Sequence, residues 1–226
     1  VDHGEKYRVM FYGKDVAFLS RKNKKTIDSI RGNHYLTFEK AGKADTVCIQ
    51  VDSKSHLFLA GKGMIPTHNS ELVSVLFPAW CFARNSSEHV ILASYAFGLA
   101  SRMNRECQRI ISGDAFRELF PQITFAKDTE PGAIRTNERF DIVGGGHYVS
   151  AGVGGGITGV GATIAIIDDP VKDAMEADST TYRDRAWEWY TTTFTTRFER
   201  DAIEVICQTR WHEDDLTGRI LERKKH

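Results

Sequence analysis

The stretch Thr163-Ile164-Ala165-Ile166-Ile167-Asp168-Asp169-Pro170 decides how most of this chain folds. Its apolar residues are consecutive rather than spaced at a helical period, and isoleucine dominates them. A short continuous run of this kind reads as a strand buried on both faces, the usual state of strands in parallel sheets. It ends on two carboxylates, and in open parallel sheets ligands gather at the carboxyl ends of the strands. Ala202-Ile203-Glu204-Val205-Ile206-Cys207 repeats the pattern and runs into Gln208-Thr209-Arg210, and His89 to Ser94 is a further apolar strand. Between these runs the period changes. Leu72, Val73, Leu76 and Trp80 fit one helical face, and Leu99, Met103, Cys107, Ile110 and Ile111 recur at helical spacing. Trp187, Trp189 and Tyr190 cluster on a predicted helix, where core packing accounts for them better than base stacking. Strands alternating with helices from Ser70 onward predict an α/β unit with a parallel sheet over residues 70–226.

Upstream of Ser70 the style differs. Tyr35–Glu39, Thr46–Val51 and His56–Ala60 read as short strands, punctuated by Gly42, Asp52-Ser53, Gly61 and Gly63. Residues 1–69 are therefore expected to be an all-β part. The basic stretch Lys14–Lys25 is either a short helix followed by a loop or a solvated charged surface.

The 226 residues suffice for one large or two small domains, and an apolar fraction of 41% lets each bury a core. Thirty basic residues balance thirty acidic ones, so net charge gives no sign of nucleic-acid binding, and any basic surface must be local. Cys48, Cys81, Cys107 and Cys207 stand too far apart for a Cys-x-x-Cys metal pair or a compact disulfide framework, which suits a reduced, intracellular setting. No apolar run approaches the roughly 20 residues of a membrane-spanning helix. Val1-Asp2-His3-Gly4 has neither an initiator Met nor a signal-peptide pattern, and Arg223-Lys224-Lys225-His226 follows a helical pattern without a cap. Both ends are expected to be breaks in a longer protein.

Where the two styles meet stands His56-Leu57-Phe58-Leu59-Ala60-Gly61-Lys62-Gly63-Met64-Ile65-Pro66-Thr67-His68-Asn69-Ser70. Together with the Cys48-Ile49-Gln50-Val51-Asp52 strand before it, this resembles the C-terminal end of an intein, with a Hint-type all-β fold implied for residues 1–69. The resemblance is good from Tyr35 to Ser70 and poor before Tyr35. The chemistry fits the residue types. An asparagine amide nitrogen can attack its own backbone carbonyl, close a succinimide and cleave the Asn69–Ser70 bond. A neighbouring imidazole polarises that carbonyl or protonates the leaving nitrogen, the place taken by His68. His56 matches a second histidine on the preceding strand. The Ser70 hydroxyl accepts the upstream segment as an ester before cleavage. Cys48 matches a position where some inteins carry their first nucleophile, with a threonine before the penultimate histidine, here Thr67; its alternative is a small buried hydrophobe. The Trp that marks that class upstream does not occur in this stretch. The upstream half of the splicing domain is an expected partner, on the same polypeptide or a separate one, and splicing needs no cofactor.

After Ser70 four blocks resemble the ATPase part of a tailed-phage terminase large subunit. They are Ser70–Ser74, Ala93-Ser94-Tyr95, Gly152–Ala162 leading into Ile166–Pro170, and Thr209–Leu216. The resemblance implies ATP and Mg²⁺ as cofactors, and DNA translocation as the activity. It implies double-stranded viral DNA, a portal and a small terminase subunit as partners, a ring of identical subunits, no membrane, and a place in the host cytoplasm with passage at the procapsid portal. A different P-loop motor, such as a helicase, is the alternative host. A P-loop ends in Gly-Lys-Ser/Thr at a helix start, its hydroxyl binding Mg²⁺. Ser70 stands at such a start with Asn69 before it instead of Gly-Lys. The expectation is an intein inserted within the P-loop, so that excision joins an upstream Gly-Lys to Ser70. Asp168 is assigned to the metal. Asp169 orients the attacking water or, alternatively, caps a helix or turn before Pro170. Thr209 and Arg210 match a segment that touches nucleotide and couples hydrolysis to movement, or Arg210 is structural, pairing with Glu213 or Asp214. The glycine-rich loop Gly152–Gly161 reads as a turn before the metal-binding strand, within reach of DNA or a neighbouring subunit.

Overall fold

The computed structural model describes residues 58–60, 65–67, 69–157 and 159–223, with side chains from Ser70 onward. The chain divides into two compact units, Val1–Pro66 and Thr67–His226. Of the expected all-β part, the described elements are β1 (Phe58–Ala60) and β2 (Ile65–Thr67), which pair as a two-stranded sheet. The stretches Tyr35–Glu39, Thr46–Val51 and Lys14–Lys25, and with them Cys48, His56 and His68, lie outside the described residues.

The second unit is α/β. Its five strands are β3 (His89–Ser94), β4 (Arg139–Asp141), β5 (His147–Gly152), β6 (Ala162–Asp168) and β7 (Phe198–Cys207), in the order β4-β5-β3-β6-β7. β5, β3, β6 and β7 run parallel. The all-parallel expectation is corrected at one edge, where β4 pairs antiparallel with β5. The cause is local: Gly144 and Gly145 both have φ near +100° (107° and 93°), which turns the chain straight back on itself as a hairpin.

Alternation along the two central strands divides the core. Val90, Leu92, Ile164 and Ile166 belong to the core on one face of the sheet, with Val75, Ala79, Phe82, Met103 and Cys107 from the helices. Ile91, Ala93, Ala165 and Ile167 belong to the core on the other face, with Trp189, Tyr190, Phe194, Leu216 and Ile220. A strand covered on both faces cannot alternate polar and apolar residues, which is why its sequence reads as an unbroken apolar run. Each such isoleucine contributes about 1.5–3 kcal/mol by leaving water. Trp189 and Tyr190 are core residues, as their clustering predicts.

Ser70 lies in the first turn of a helical stretch of three pieces: α1 (Asn69–Glu71), a π-helical turn (Leu72–Leu76) and α2 (Phe77–Arg84). Here the sequence expectation needs correction. Leu72, Val73, Leu76 and Trp80 are half-buried, and the covered positions are Ser74, Val75, Pro78, Ala79, Cys81 and Phe82. The wider π turn accommodates an extra residue and shifts the phase of everything after it. α3 (Phe97–Ser112) covers the same face, inserting Met103, Cys107 and Ile111, while Ile110 stays 37% exposed against expectation. After α4 (Asp114–Leu119), the opposite face carries α5 (Ala174–Asp178), α6 (Thr180–Trp189) and α7 (Leu216–Arg223). Among the described residues, no helix is long and apolar enough to cross a membrane.

Candidate functional site at the carboxyl ends of the strands

The period of β6 carries its last residue to a defined place. Ile164 and Ile166 face the side on which α2 packs, so Asp168, two residues further, faces it as well. There it meets the helical stretch begun by Ser70. The Ser70 hydroxyl donates to Asp168 Oδ1 at 3.1 Å, and the Ser74 hydroxyl donates to Oδ2 at 2.7 Å. Two hydroxyls one helical turn apart thus share a carboxylate that lies 98 positions beyond Ser70 in sequence. Asp168 is fully buried, and burial pushes its carboxyl pKa upward while the bonds from Ser74, Ser70 and the Cys207 side chain oppose that rise.

Asp169 follows with a change of backbone. Its φ is +46°, in the left-handed region that a side chain disfavours. Neighbouring strand ends hold it there. Its N–H donates to the Cys207 carbonyl at 2.8 Å, and its own carbonyl accepts from the Tyr95 N–H at 2.8 Å. The Thr209 N–H donates to its Oδ1 at 3.1 Å. Desolvation raises the Asp169 pKa, and the Thr209 bond counters it. A strained residue held by surrounding hydrogen bonds is a common mark of a functional site. The helix-capping alternative for Asp169 finds no support, because α5 is capped by Asp173, whose side chain accepts from the Glu176 N–H.

The segment after β7 is fastened in turn. Arg210 Nε donates to Asp215 Oδ2 at 2.6 Å, and its Nη2 donates to the Glu213 carbonyl at 3.3 Å. Its carboxylate partner is therefore Asp215 rather than Glu213 or Asp214. Asp215 is buried and its other oxygen caps α7 by accepting from the Gly218 N–H at 2.8 Å. Asp214 pairs instead with Arg183 and Arg219, and the Arg219 guanidinium holds its carboxyl down at about 2.

The structure brings Ser70, Asp168, Asp169 and Thr209 together in one cluster. Arg210 follows Thr209 directly in the chain, and its guanidinium is turned to Asp215. Asn69 lies in the first turn of the helical stretch and Thr67 ends β2. Sequence reasoning missed Ser74, although its spacing of four from Ser70 is a helical one. It also missed Tyr148, whose hydroxyl donates to the Ser74 carbonyl at 3.0 Å; no local pattern marks that contact. Among the described residues there is no group of three or more His, Cys, Asp or Glu side chains arranged as a metal cage. A hydroxyl and a carboxylate oxygen about one hydrogen bond apart are instead a small hard-oxygen donor set, which fits Mg²⁺ completed by water and phosphate oxygens.

No protein-family model matches the chain. Two curated proteins resemble part of it. The replicative DNA helicase DnaB of Mycobacterium leprae (strain TN) is 40% identical over 68 residues, 30% of this chain and 10% of the helicase. The replicative DNA helicase DnaB of Mycobacterium intracellulare is 37% identical over 68 residues, 30% of this chain and 11% of the helicase. The chain thus spans about a tenth of the length of these relatives.

Proposed function

We propose that this chain joins a self-splicing segment to a P-loop motor ATPase that acts on DNA, and that splicing at Asn69–Ser70 completes the nucleotide site. The observation that carries the reading is the Ser70 hydroxyl at the head of a helical stretch, 3.1 Å from the Asp168 carboxylate at the end of β6. This is the disposition a Walker-type ATPase needs between its P-loop hydroxyl and its metal-binding carboxylate. Ser70 and Asp168 would hold Mg²⁺, which when bound neutralises charge on the transferred phosphoryl group. Asp169, its backbone fixed by Cys207 and Tyr95, presents a carboxylate that orients the attacking water. Thr209, bonded to that carboxylate, ties it to the segment leading into α7. An upstream Gly-Lys, brought in by splicing, supplies the rest of the phosphate cradle.

On the splicing side, Ser70 first receives the upstream segment as an ester, His68 and His56 activate the Asn69 carbonyl, Asn69 cyclises to release the intein, and the ester shifts to the freed Ser70 amine as an amide. Cys48 and Thr67 fit a class in which the cysteine reacts first. A host that is a DNA helicase is favoured by the partial likeness to the two replicative helicases. A second host, the terminase large subunit, rests on the blocks Ile166–Pro170 and Thr209–Leu216. With it come double-stranded viral DNA, portal and small-subunit partners, a ring assembly and transient residence at the procapsid portal.

The test is to supply the upstream intein half with its host segment and follow the mixture by intact-mass spectrometry. The expected product is a host protein in which Gly-Lys is joined to Ser70, together with a released intein ending in a succinimide. Persistence of unspliced chain overturns the splicing reading. Strand unwinding by the purified product identifies a helicase host, whereas packaging of duplex DNA into procapsids without unwinding identifies a terminase.

A further inference from the structure

Ser74 is a hydroxyl in an expensive place. It is fully buried, among apolar side chains from α2, α3 and the sheet. A polar group there costs free energy unless it is bonded, and Ser74 is bonded at both ends. Its hydroxyl donates to Asp168 Oδ2 at 2.7 Å. Its carbonyl accepts from the hydroxyl of Tyr148, itself fully buried on β5. Ser74 also sits inside the π-helical turn Leu72–Leu76, whose looser bonding pattern opens carbonyls to other donors. Such turns frequently accompany functional sites.

The two carboxylate oxygens of Asp168 are thus treated differently. Oδ2 points into the helix and is taken by Ser74, while Oδ1 faces the Ser70 hydroxyl. A carboxylate with one oxygen fixed has a fixed plane, and the direction of the other follows. We propose that Ser74 is a positioning residue of the nucleotide site: it locks Asp168 through Oδ2 so that Oδ1 stays aimed at the Ser70 hydroxyl, and Tyr148 in turn fixes Ser74. The proposal rests on the ATPase reading above. Ser74 touches neither nucleotide nor metal; it acts through Asp168. With alanine at 74, Oδ2 loses the Ser74 donor in a buried setting, and the carboxylate turns to recover a partner. Oδ1 then leaves its alignment, and small misplacements of this kind are costly in rate.

The experiment uses the spliced full-length host protein carrying Ser74→Ala, Ser74→Thr, Tyr148→Phe or Asp168→Asn. Steady-state ATPase is measured against ATP and Mg²⁺, and binding of a fluorescent ATP analogue is titrated with and without Mg²⁺. For Ser74→Ala the expected result is a kcat lower by about tenfold or more, with KM for ATP changed less than about twofold. Mg²⁺ is expected to tighten analogue binding several-fold less than in wild type, while binding without Mg²⁺ stays the same. Ser74→Thr keeps the hydroxyl and restores most of the loss. Tyr148→Phe shifts kcat and the Mg²⁺ effect in the same direction by a smaller factor. Wild-type kcat and Mg²⁺ response in folded Ser74→Ala overturn the proposal, as does a folded Ser74→Thr that restores neither. If Ser74→Ala does not fold, Tyr148→Phe decides: a wild-type Mg²⁺ response there overturns it. Full activity in Asp168→Asn overturns the ATPase reading itself, a different outcome from failure of the Ser74 role.

Discussion

At the scale of single residues, Ser70 carries two successive demands on one hydroxyl. In the proposed splicing it would accept an acyl group, and in the structure it faces Asp168 from the head of the helical stretch. Ser70→Ala is expected to abolish both, leaving no spliced product in the mass spectrum and no ATPase in a host protein made without the intein. Ser70→Thr is expected to retain most ATPase in the intein-free host and to slow splicing, since the secondary alcohol is more hindered. Asp169 separates backbone from side chain. At φ +46° a glycine relieves strain that an L side chain endures. Asp169→Gly is therefore expected to melt within about 1 kcal/mol of wild type while its ATPase falls by about 100-fold. Asp169→Val, β-branched in the same conformation, is expected to lose clearly more stability than Asp169→Gly, and equal melting of the two would refute the strain.

At the scale of elements, the amino ends of the strands hold a second polar cluster, away from the carboxyl-end site. His89 and His147, register partners on β3 and β5, stack with ring centroids 4.3 Å apart, and His89 Nδ1 lies 2.5 Å from Glu199 Oε1 on β7. His147 is buried and its Nε2 has no partner among the described residues. Desolvation first, then His89 and Arg139, push its pKa down to about 4, against a weaker upward pull from the Gly161 backbone and Asp141. The folded state therefore refuses a proton that the unfolded state accepts. The corresponding stability is present in full above pH 6.5 and is lost as pH falls from there toward 4, by at most about 1.4 kcal/mol per pH unit. Chemical denaturation at pH 7.5 and 4.5 should show a smaller acid loss in His147→Phe than in wild type. Equal losses in the two proteins would assign the acid sensitivity elsewhere. Packing at this scale also acts on the thiols: burial raises Cys81 to about 12 and lifts Cys107 higher still, which disfavours the thiolate form of both.

At the scale of the whole molecule, the proposed insertion makes one reaction a precondition of another. A full-length precursor carrying Asn69→Ala is expected to remain unspliced and to show no ATPase above background, while the same host made without the intein hydrolyses ATP. Measurable hydrolysis by the blocked precursor would mean that the cradle does not depend on the joined Gly-Lys. The likeness to replicative helicases covers 68 residues, 30% of this chain, whereas the α/β unit is described by its own geometry. Much of that geometry was legible. The unbroken run Ile164–Ile167 announced a strand covered on both faces, and the carboxylates after it announced the ligand end of the sheet.

What the sequence determined by itself was set by local chemistry and period: where β3, β6 and β7 run, that Asp168 and Asp169 end one of them, and that Asn69–Ser70 has the residue types for cyclisation and acyl transfer. Only the tertiary structure decided which hydroxyls reach Asp168, that Arg210 answers to Asp215, that β4 turns back antiparallel, and that Tyr148 steadies Ser74. The reason is physical. Strand period and bond-forming chemistry act between near neighbours, whereas a buried carboxylate takes its partners from whatever the packed core brings within hydrogen-bonding distance, here across nearly a hundred residues of chain.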